Sequence, residues 1–389
     1  MKLAERMSRL GTESAFEVLA KARALEAQGR EVVHLEIGEP DFDTPAHIIE
    51  AACDALHHGA THYTPAAGIP QLREAIAAAL GPTRGYEIDP RQVVVTPGAK
   101  PIMFYVLIAL AEPGREVIYP NPGFPIYESM INFMGAKAVP LPLREERDFR
   151  FDVEELRSLI NDRTALIILN SPQNPTGGIL EKEDLAAIAE ICVERDIPVL
   201  TDEVYEHILY DGDFSSITSF EGMKPSERSI ILHGFSKSYA MTGWRLGYGV
   251  MPIPLAEHVT RLMVNSNSCT SASTQFAGVA ALQGPQDSVR GMVAAFRERR
   301  DVIVQGLNEI PGIRCANPRG AFYVFPNISG TGMDSRTAEG FFLNEAGVAC
   351  LSGAAFGQYG EGYLRLSYAN SVENIRKALE RMRAALAAR

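Results

Sequence analysis

The chain has little cysteine. Five residues, Cys53, Cys192, Cys269, Cys315 and Cys350, are scattered over 389 positions, and no C-x-x-C pair occurs. An odd, dispersed set excludes a disulfide framework and a thiolate metal centre, and predicts reduced, buried thiols in a cytoplasmic protein. Long hydrophobic runs are also missing. The longest, Met103–Ala111, falls far short of the roughly 20 residues that cross a bilayer, so no membrane span is expected. The opening residues MKLAERMSRL alternate charge with apolar groups and lack the apolar core of a secretory signal. Positive charge is in deficit. A net charge of -11 argues against nucleic acid or an anionic membrane as partner, while leaving room for a local basic pocket that holds a small anion. No repeat, low-complexity tract or charge block interrupts the chain.

What is present is a pattern of short apolar runs alternating with helical segments. The length allows two domains with a sizeable core. Residues 1–12 read as an irregular arm, Glu13–Gln28 as a helix and Val32–Ile37 as a short strand. Helices are expected over Ala46–His57 and Gln71–Leu80. Strand-type runs then recur at Val93–Val95, Val117–Tyr119, Leu166–Leu169, Pro198–Leu200 and Ile230–Leu232. Continuous apolar strands between helices predict an α/β fold with a parallel sheet covered on both faces. A long helix follows Gly284-Pro285, with Val289, Met292, Val293, Phe296, Ile303 and Leu307 on helical spacing. Strands at Phe322–Phe325 and Tyr363–Tyr368 and a closing helix at Val372–Ala388 complete the chain.

Each strand in the first part runs into a polar, turn-forming cluster. In parallel sheets ligands bind beyond the carboxyl ends of the strands. Gly98, Phe124, Asn174, Asp202, Tyr205 and Lys237 are therefore expected to converge on one pocket. Lys237 stands between two serines in SIILHGFSKSYAMTGWRLGYG, eight residues before Arg245. A lysine amine held past a buried strand can form an imine with a carbonyl cofactor, and a nearby arginine can grip that cofactor's phosphate. Phosphate would rest on the N–H groups of Gly98, Ala99 and Lys100 where a helix begins, with Ser236 and Arg245 supplying charge-assisted bonds. Phe124 could stack on an aromatic ring. Asp202 could pair with a protonated ring nitrogen, while Tyr205 and Asn174 could donate to a ring phenolate. Together these roles describe pyridoxal 5'-phosphate, with Asp202 keeping the ring positive so that it accepts electrons from the substrate Cα. Lys237, once free, would act as general base. No metal is called for. Taken singly, Asp202 could be a turn cap, Tyr205 and Phe124 core aromatics, and Arg245 a surface ion pair.

At these residues the chain resembles the fold-type I pyridoxal-phosphate-dependent aminotransferases of classes I and II, and among them the bacterial aspartate-aminotransferase-like subgroup. GEPDFDTP from Gly38, SPQNPTGG, TDEVYEH and SKSYAMTGWRLGY carry the resemblance, which runs nearly end to end. It implies a large domain with a mostly parallel, seven-stranded-type sheet and a smaller α/β domain built from both termini. Residues 1–44 would be an N-terminal arm and helix of the small domain, 45–284 the large cofactor-binding domain, and 285–389 the small C-terminal domain. It implies Lys237, Asp202 and Tyr205 as catalytic residues. It places Gly98, Ala99, Ser236 and Arg245 at the phosphate, Phe124 on the ring, and Asn174 and Tyr205 at the phenolate oxygen. Arg365, in YLRLSYAN, would grip the substrate α-carboxylate, with Gly38 as a backbone contact and Asn174 beside them. Lys100 either reaches a distal substrate carboxylate or stands near the phosphate. Tyr63 would enter a neighbouring subunit's phosphate site, which implies a homodimer with shared active sites. The expected activity is ping-pong transfer of an amino group from an L-amino acid, aspartate-like, broad or aromatic, to a 2-oxo acid such as 2-oxoglutarate. A carbon–sulfur lyase of the same fold is the alternative.

Overall fold

The computed structural model describes the whole chain, Met1–Arg389. Its strands are β1 (Val33–His34), β2 (Val93–Thr96), β3 (Glu116–Asn121), β4 (Lys137–Pro142), β5 (Thr164–Asn170), β6 (Val199–Asp202), β7 (Ser229–Gly234), β8 (Gly247–Val250), β9 (Tyr323–Val324), β10 (Val348–Ala349), β11 (Leu351–Ser352) and β12 (Leu364–Ser367). Seven of them form one sheet in the order β2-β8-β7-β6-β5-β3-β4. β8 runs antiparallel to both of its neighbours, and every other neighbouring pair is parallel.

The sheet is covered on both faces, which is why its strands read as unbroken apolar runs. Along β7, Ile230 and Leu232 enter one core with Val94, Ile168 and Leu200, while Ile231 enters another with Val93 and Val95. Successive side chains thus point to opposite faces and both faces are dry. The first four helices are α1 (Ser14–Glu26), α2 (Ala46–His57), α3 (Pro70–Arg84) and α4 (Lys100–Leu110).

The C-terminal part has its own core. The helix Asp287–Asn308 buries Val289, Met292, Phe296, Ile303 and Leu307, as the spacing predicts. Met292, Phe296, Ile303 and Leu307 pack with Phe322, Tyr368 and Ile375 near the antiparallel sheet β11-β12-β9, whereas Val289 at the start of the helix packs into the core with Val93 and Val95. β1 pairs in parallel with β10, so a segment from near the N-terminus is stitched into the C-terminal part.

Some expectations change. The arm over residues 1–12 holds a short 3-10 turn, Glu5–Arg9, that buries nothing. The strand expected over Val32–Ile37 pairs only at Val33–His34, because the chain then turns away and spends its carbonyls on the cavity side: Glu36 accepts from Arg365 and Gly38 from Lys237. Two strands of the sheet were not anticipated. β4 carries Pro140 and Pro142, which an edge strand tolerates because one side of it needs no N–H. β8 is glycine-rich for lack of room: a Cβ on Gly247 would collide with the backbone of Gly98 and Ala99, and one on Gly249 with Ile102.

Candidate active site

The carboxyl ends of the strands open into a cavity of about 450 Å³, within the range of small-molecule sites. β6 ends on Asp202, whose carboxylate accepts a 2.6 Å bond from the Tyr127 hydroxyl. Burial pushes the Asp202 carboxyl up to about 6, and the bond from Tyr127 offsets only part of that. The turn after β6 carries Tyr205, whose hydroxyl lies 2.8 Å from that of Tyr323. This turn is anchored from below by a buried ion-pair cluster, with Arg84 bonding both Glu203, at 2.6 Å, and Glu206.

β7 leads through Phe235 and Ser236 to Lys237, whose amine donates to the carbonyl of Gly38. Burial lowers the Lys237 pKa to about 8, and the positive charge of Arg365 adds to the shift. A lysine so placed is neutral in roughly a tenth of molecules at pH 7, far more than an ordinary lysine, and the neutral amine is the form a nucleophile or base requires. The loop is held in shape by Thr44, which donates to Ala240 at 2.6 Å and accepts from the Trp244 ring at 2.9 Å. Ala240 and Arg245 both adopt positive φ, a conformation that side-chain-bearing residues enter only when their surroundings force it.

Arg365, on β12, is only 4% exposed. It donates to the Glu36 carbonyl and, at 3.3 Å, to the side-chain oxygen of Asn174. Its Nε is buried and has no acceptor, and the guanidinium lies 4.6 Å from the centre of the Tyr323 ring. A buried guanidinium that lines a cavity and keeps an unpaired donor is suited to a carboxylate. Gly38 has to be glycine, since a Cβ there would overlap the Tyr323 hydroxyl.

The opposite side of the cavity is built at the start of α4. Gly98 has φ +91°, and a Cβ on it would strike the Arg245 guanidinium. Its N–H is bonded to the Thr96 carbonyl at 2.8 Å, which corrects the expectation that it faces a phosphate. Gly98 instead makes room for Arg245. The N–H groups of Ala99 and Lys100 have no acceptor within the chain and, with the Ser236 hydroxyl and Arg245, compose an anion cradle at a helix N-terminus. Phe124 borders the cavity edge-on to Tyr127, with ring centres 5.7 Å apart. Thus Gly38, Ala99, Lys100, Phe124, Asn174, Asp202, Tyr205, Ser236, Lys237, Arg245 and Arg365 all line one space, with Gly98 directly behind it. Tyr63 does not. It is 90% exposed and outside the cavity of its own chain.

Three residues escaped the sequence reading. Tyr127 stands three positions after Phe124, one helical turn away, and that spacing could have pointed to it. Tyr323 is a tyrosine in an otherwise apolar strand, a weaker signal. Glu13 gave none, because its partner Lys100 is 87 residues distant.

A model of the family described as aminotransferase class I and II matches residues 30–382. The chain belongs to the class I and II aminotransferases. This aminotransferase is 41% identical over 391 residues to the probable aspartate/prephenate aminotransferase of Aquifex aeolicus, an alignment covering 99% of this chain and 98% of the relative. It is 39% identical to aromatic-amino-acid aminotransferase 2 of Thermococcus litoralis, over 98% of this chain and 97% of the relative. Its fold superposes on that of the aspartate aminotransferase of Thermus thermophilus solved with maleate, with a TM-score of 0.94 at 38% identity, covering 99% of this chain and all of that one. It is therefore a fold-type I enzyme that uses pyridoxal 5'-phosphate to move amino groups between amino acids and 2-oxo acids. The site suits that cofactor on its own terms, with an anion cradle, a buried carboxylate with no cationic partner and a neutralisable lysine in one cavity. No helix is long and apolar enough to cross a membrane.

Proposed function

We propose that this enzyme transfers amino groups from aspartate and from uncharged, aromatic amino acids to 2-oxoglutarate, with Lys237, Asp202 and Arg365 as its working residues. The observation that carries the reading is the meeting of a lysine with a lowered pKa, a buried carboxylate and a buried arginine with an idle donor in one cavity. The names of the relatives support the range of substrates, since they cover aspartate, prephenate and aromatic amino acids. The carbon–sulfur lyase alternative has no support among them.

Pyridoxal 5'-phosphate, when bound, supplies the electron sink that makes the substrate Cα–H acidic. The chain's own groups do the rest. Ala99, Ser236 and Arg245 would hold the phosphate, with Lys100 at the same helix start. Asp202, kept in place by Tyr127, would hold the proton on the ring nitrogen, and Phe124 would cover the ring. Tyr205 and Asn174 would serve the ring oxygen. Arg365 would bind the substrate α-carboxylate with its guanidinium, beside Gly38 and Asn174. Lys237 Nζ would take the proton from the substrate Cα. The first turn of α1 borders the cavity through Ala15 and Phe16.

We also read residues 1–44, 45–284 and 285–389 as N-terminal arm and helix, large domain and small domain, in keeping with the separate core around the helix Asp287–Asn308. The exposed Tyr63, with Phe104, Ile108 and Val264 also exposed, fits a homodimer in which Tyr63 completes the partner's phosphate site. Five free cysteines fit a cytoplasmic setting.

The test is a half-reaction. Holoenzyme mixed with aspartate and no oxo acid should release one equivalent of oxaloacetate per site and stop, and added 2-oxoglutarate should restart it. Continuous release of oxo acid with ammonia would favour the lyase instead. Arg365→Ala is expected to raise KM for amino acids and oxo acids together, by about 30-fold or more, because losing a buried charge partner costs about 2 kcal/mol at least. An effect on only one substrate class, seen in steady-state kinetics, would remove Arg365 from the α-carboxylate.

A further inference from the structure

Four cations line the cavity: Lys100, Lys237, Arg245 and Arg365. The functional reading uses three of them at the cofactor and the α-carboxylate. Lys100, at the first position of α4, points instead to the mouth, where its ammonium pairs with the carboxylate of Glu13 and lies 5.2 Å from the centre of the Phe124 ring. Glu13 is the residue before α1, the N-cap position, yet its side chain accepts no bond from its own helix. Glutamate gains from an N-terminal helix position through the helix dipole, but here the carboxylate is turned across the opening to Lys100. The Glu13 side chain is 17% exposed and that of Lys100 is 51% exposed, so the lysine half faces water and can be reached by an incoming group. Ala15, Phe16, Met103 and Phe124 supply apolar lining to the same cavity.

We infer that Glu13 is the built-in counter-ion of Lys100 and sets the balance between dicarboxylic and uncharged substrates. The inference rests on the aminotransferase reading of the site. With the pair closed, Lys100 carries its own counter-charge, and an aromatic side chain enters beside it without breaking that ion pair. A dicarboxylate such as aspartate or 2-oxoglutarate brings a second carboxylate to the same place. It has to displace Glu13 from Lys100 and sit beside the displaced charge, which like-charge proximity penalises. Glu13 touches no reacting atom, so it is a positioning residue that acts through Lys100.

The test uses the holoenzyme and Glu13→Gln, which keeps the shape and removes the charge. KM for aspartate and for 2-oxoglutarate should fall about 3- to 10-fold, the scale of a partly exposed ion pair with a like-charge contact relieved. Turnover number should hold, and kcat/KM for phenylalanine should stay within about twofold. Lys100→Gln should abolish the gain, so that the double variant matches Lys100→Gln alone. An unchanged aspartate-to-phenylalanine ratio would overturn the inference. So would a change of both substrates by one factor, which means a general effect of α1, or a gain for aspartate that survives in the double variant, which means Glu13 acts without Lys100. Wild-type enzyme that transfers no amino group at all would instead sink the aminotransferase reading, so the two failures are distinguishable.

Discussion

Lys237→Ala is expected to lose nearly all transamination while still binding the cofactor. Removing a positioned base alone costs roughly 10²–10⁴-fold in rate, and Lys237 is also the amine that the chemistry requires at the carbonyl carbon of the cofactor. The remaining contacts, Arg245, Ser236 and the free N–H groups of Ala99 and Lys100, are on other residues, so the phosphate retains its cradle. The wild-type pH profile should carry the same residue's signature. Its pKa is lowered to about 8, so the amine is increasingly protonated below that value and free above it. The rate at which the cofactor-free wild type takes up the cofactor covalently should therefore rise as pH climbs toward 8 and then level off, and Lys237→Ala should show no covalent uptake at any pH. A variant within tenfold of wild type across this range would remove Lys237 from the chemistry.

Asp202→Asn is expected to separate activity from stability in opposite directions. At the ring nitrogen the variant offers an uncharged amide, so transamination should fall by about 10²–10³-fold, the scale of losing one preorganised electrostatic partner of the transition state. The cofactor-free protein should become more stable at neutral pH. Burial raises the Asp202 carboxyl from 3.8 to about 6, so between those values the folded chain holds a proton that the unfolded chain has released. Stability contributed by this group is thus lost as pH rises through that window, and the whole penalty is present above it. At about 1.4 kcal/mol per pH unit, that interval amounts to about 3 kcal/mol. Denaturant titration of the cofactor-free proteins at pH 7.5 should show a gain of that order for Asp202→Asn, vanishing below pH 4. Adding cofactor should stabilise the wild type more than the variant. A variant less stable than wild type without cofactor would mean that the Asp202 carboxylate is not destabilised by burial without a cationic partner. The arrangement is a common one in functional sites, where a residue kept for its chemistry weakens the empty fold.

How far the site was legible depended on where each residue's constraint comes from. Asp202 and Lys237 sit just past buried strands, so the strand pattern alone placed them at one edge of one sheet. Asn174 and Phe124 followed for the same reason. Arg365 required the resemblance, because it lies on β12 in a different sheet and nothing local to YLRLSYAN says which cavity it faces. Gly98 stands behind Arg245, and its N–H, expected to meet a phosphate, is bonded within the chain. The sequence marks a glycine turn and is silent on the Thr96 carbonyl that takes that donor. β8 was overlooked because its glycines signal a loop, whereas in three dimensions they are spaces left for Gly98, Ala99 and Ile102.

Local physics was enough for the elements and the chemical inventory. Runs of β-branched and apolar residues between helices determine a two-faced sheet, and its carboxyl edge collects the polar clusters that follow each strand. Charge, cysteine content and the lack of long apolar runs bounded the class of protein. Protonation and pairing were decided only by tertiary structure. Desolvation depends on everything packed around a group, so the raised pKa of Asp202 and the lowered one of Lys237 exist only in the folded chain, where burial acts on both and Arg365 adds to the shift of Lys237. The same holds for Glu13 and Lys100. No spacing rule joins residues 87 apart, and their ion pair forms only because the start of α1 is folded over the end of the sheet.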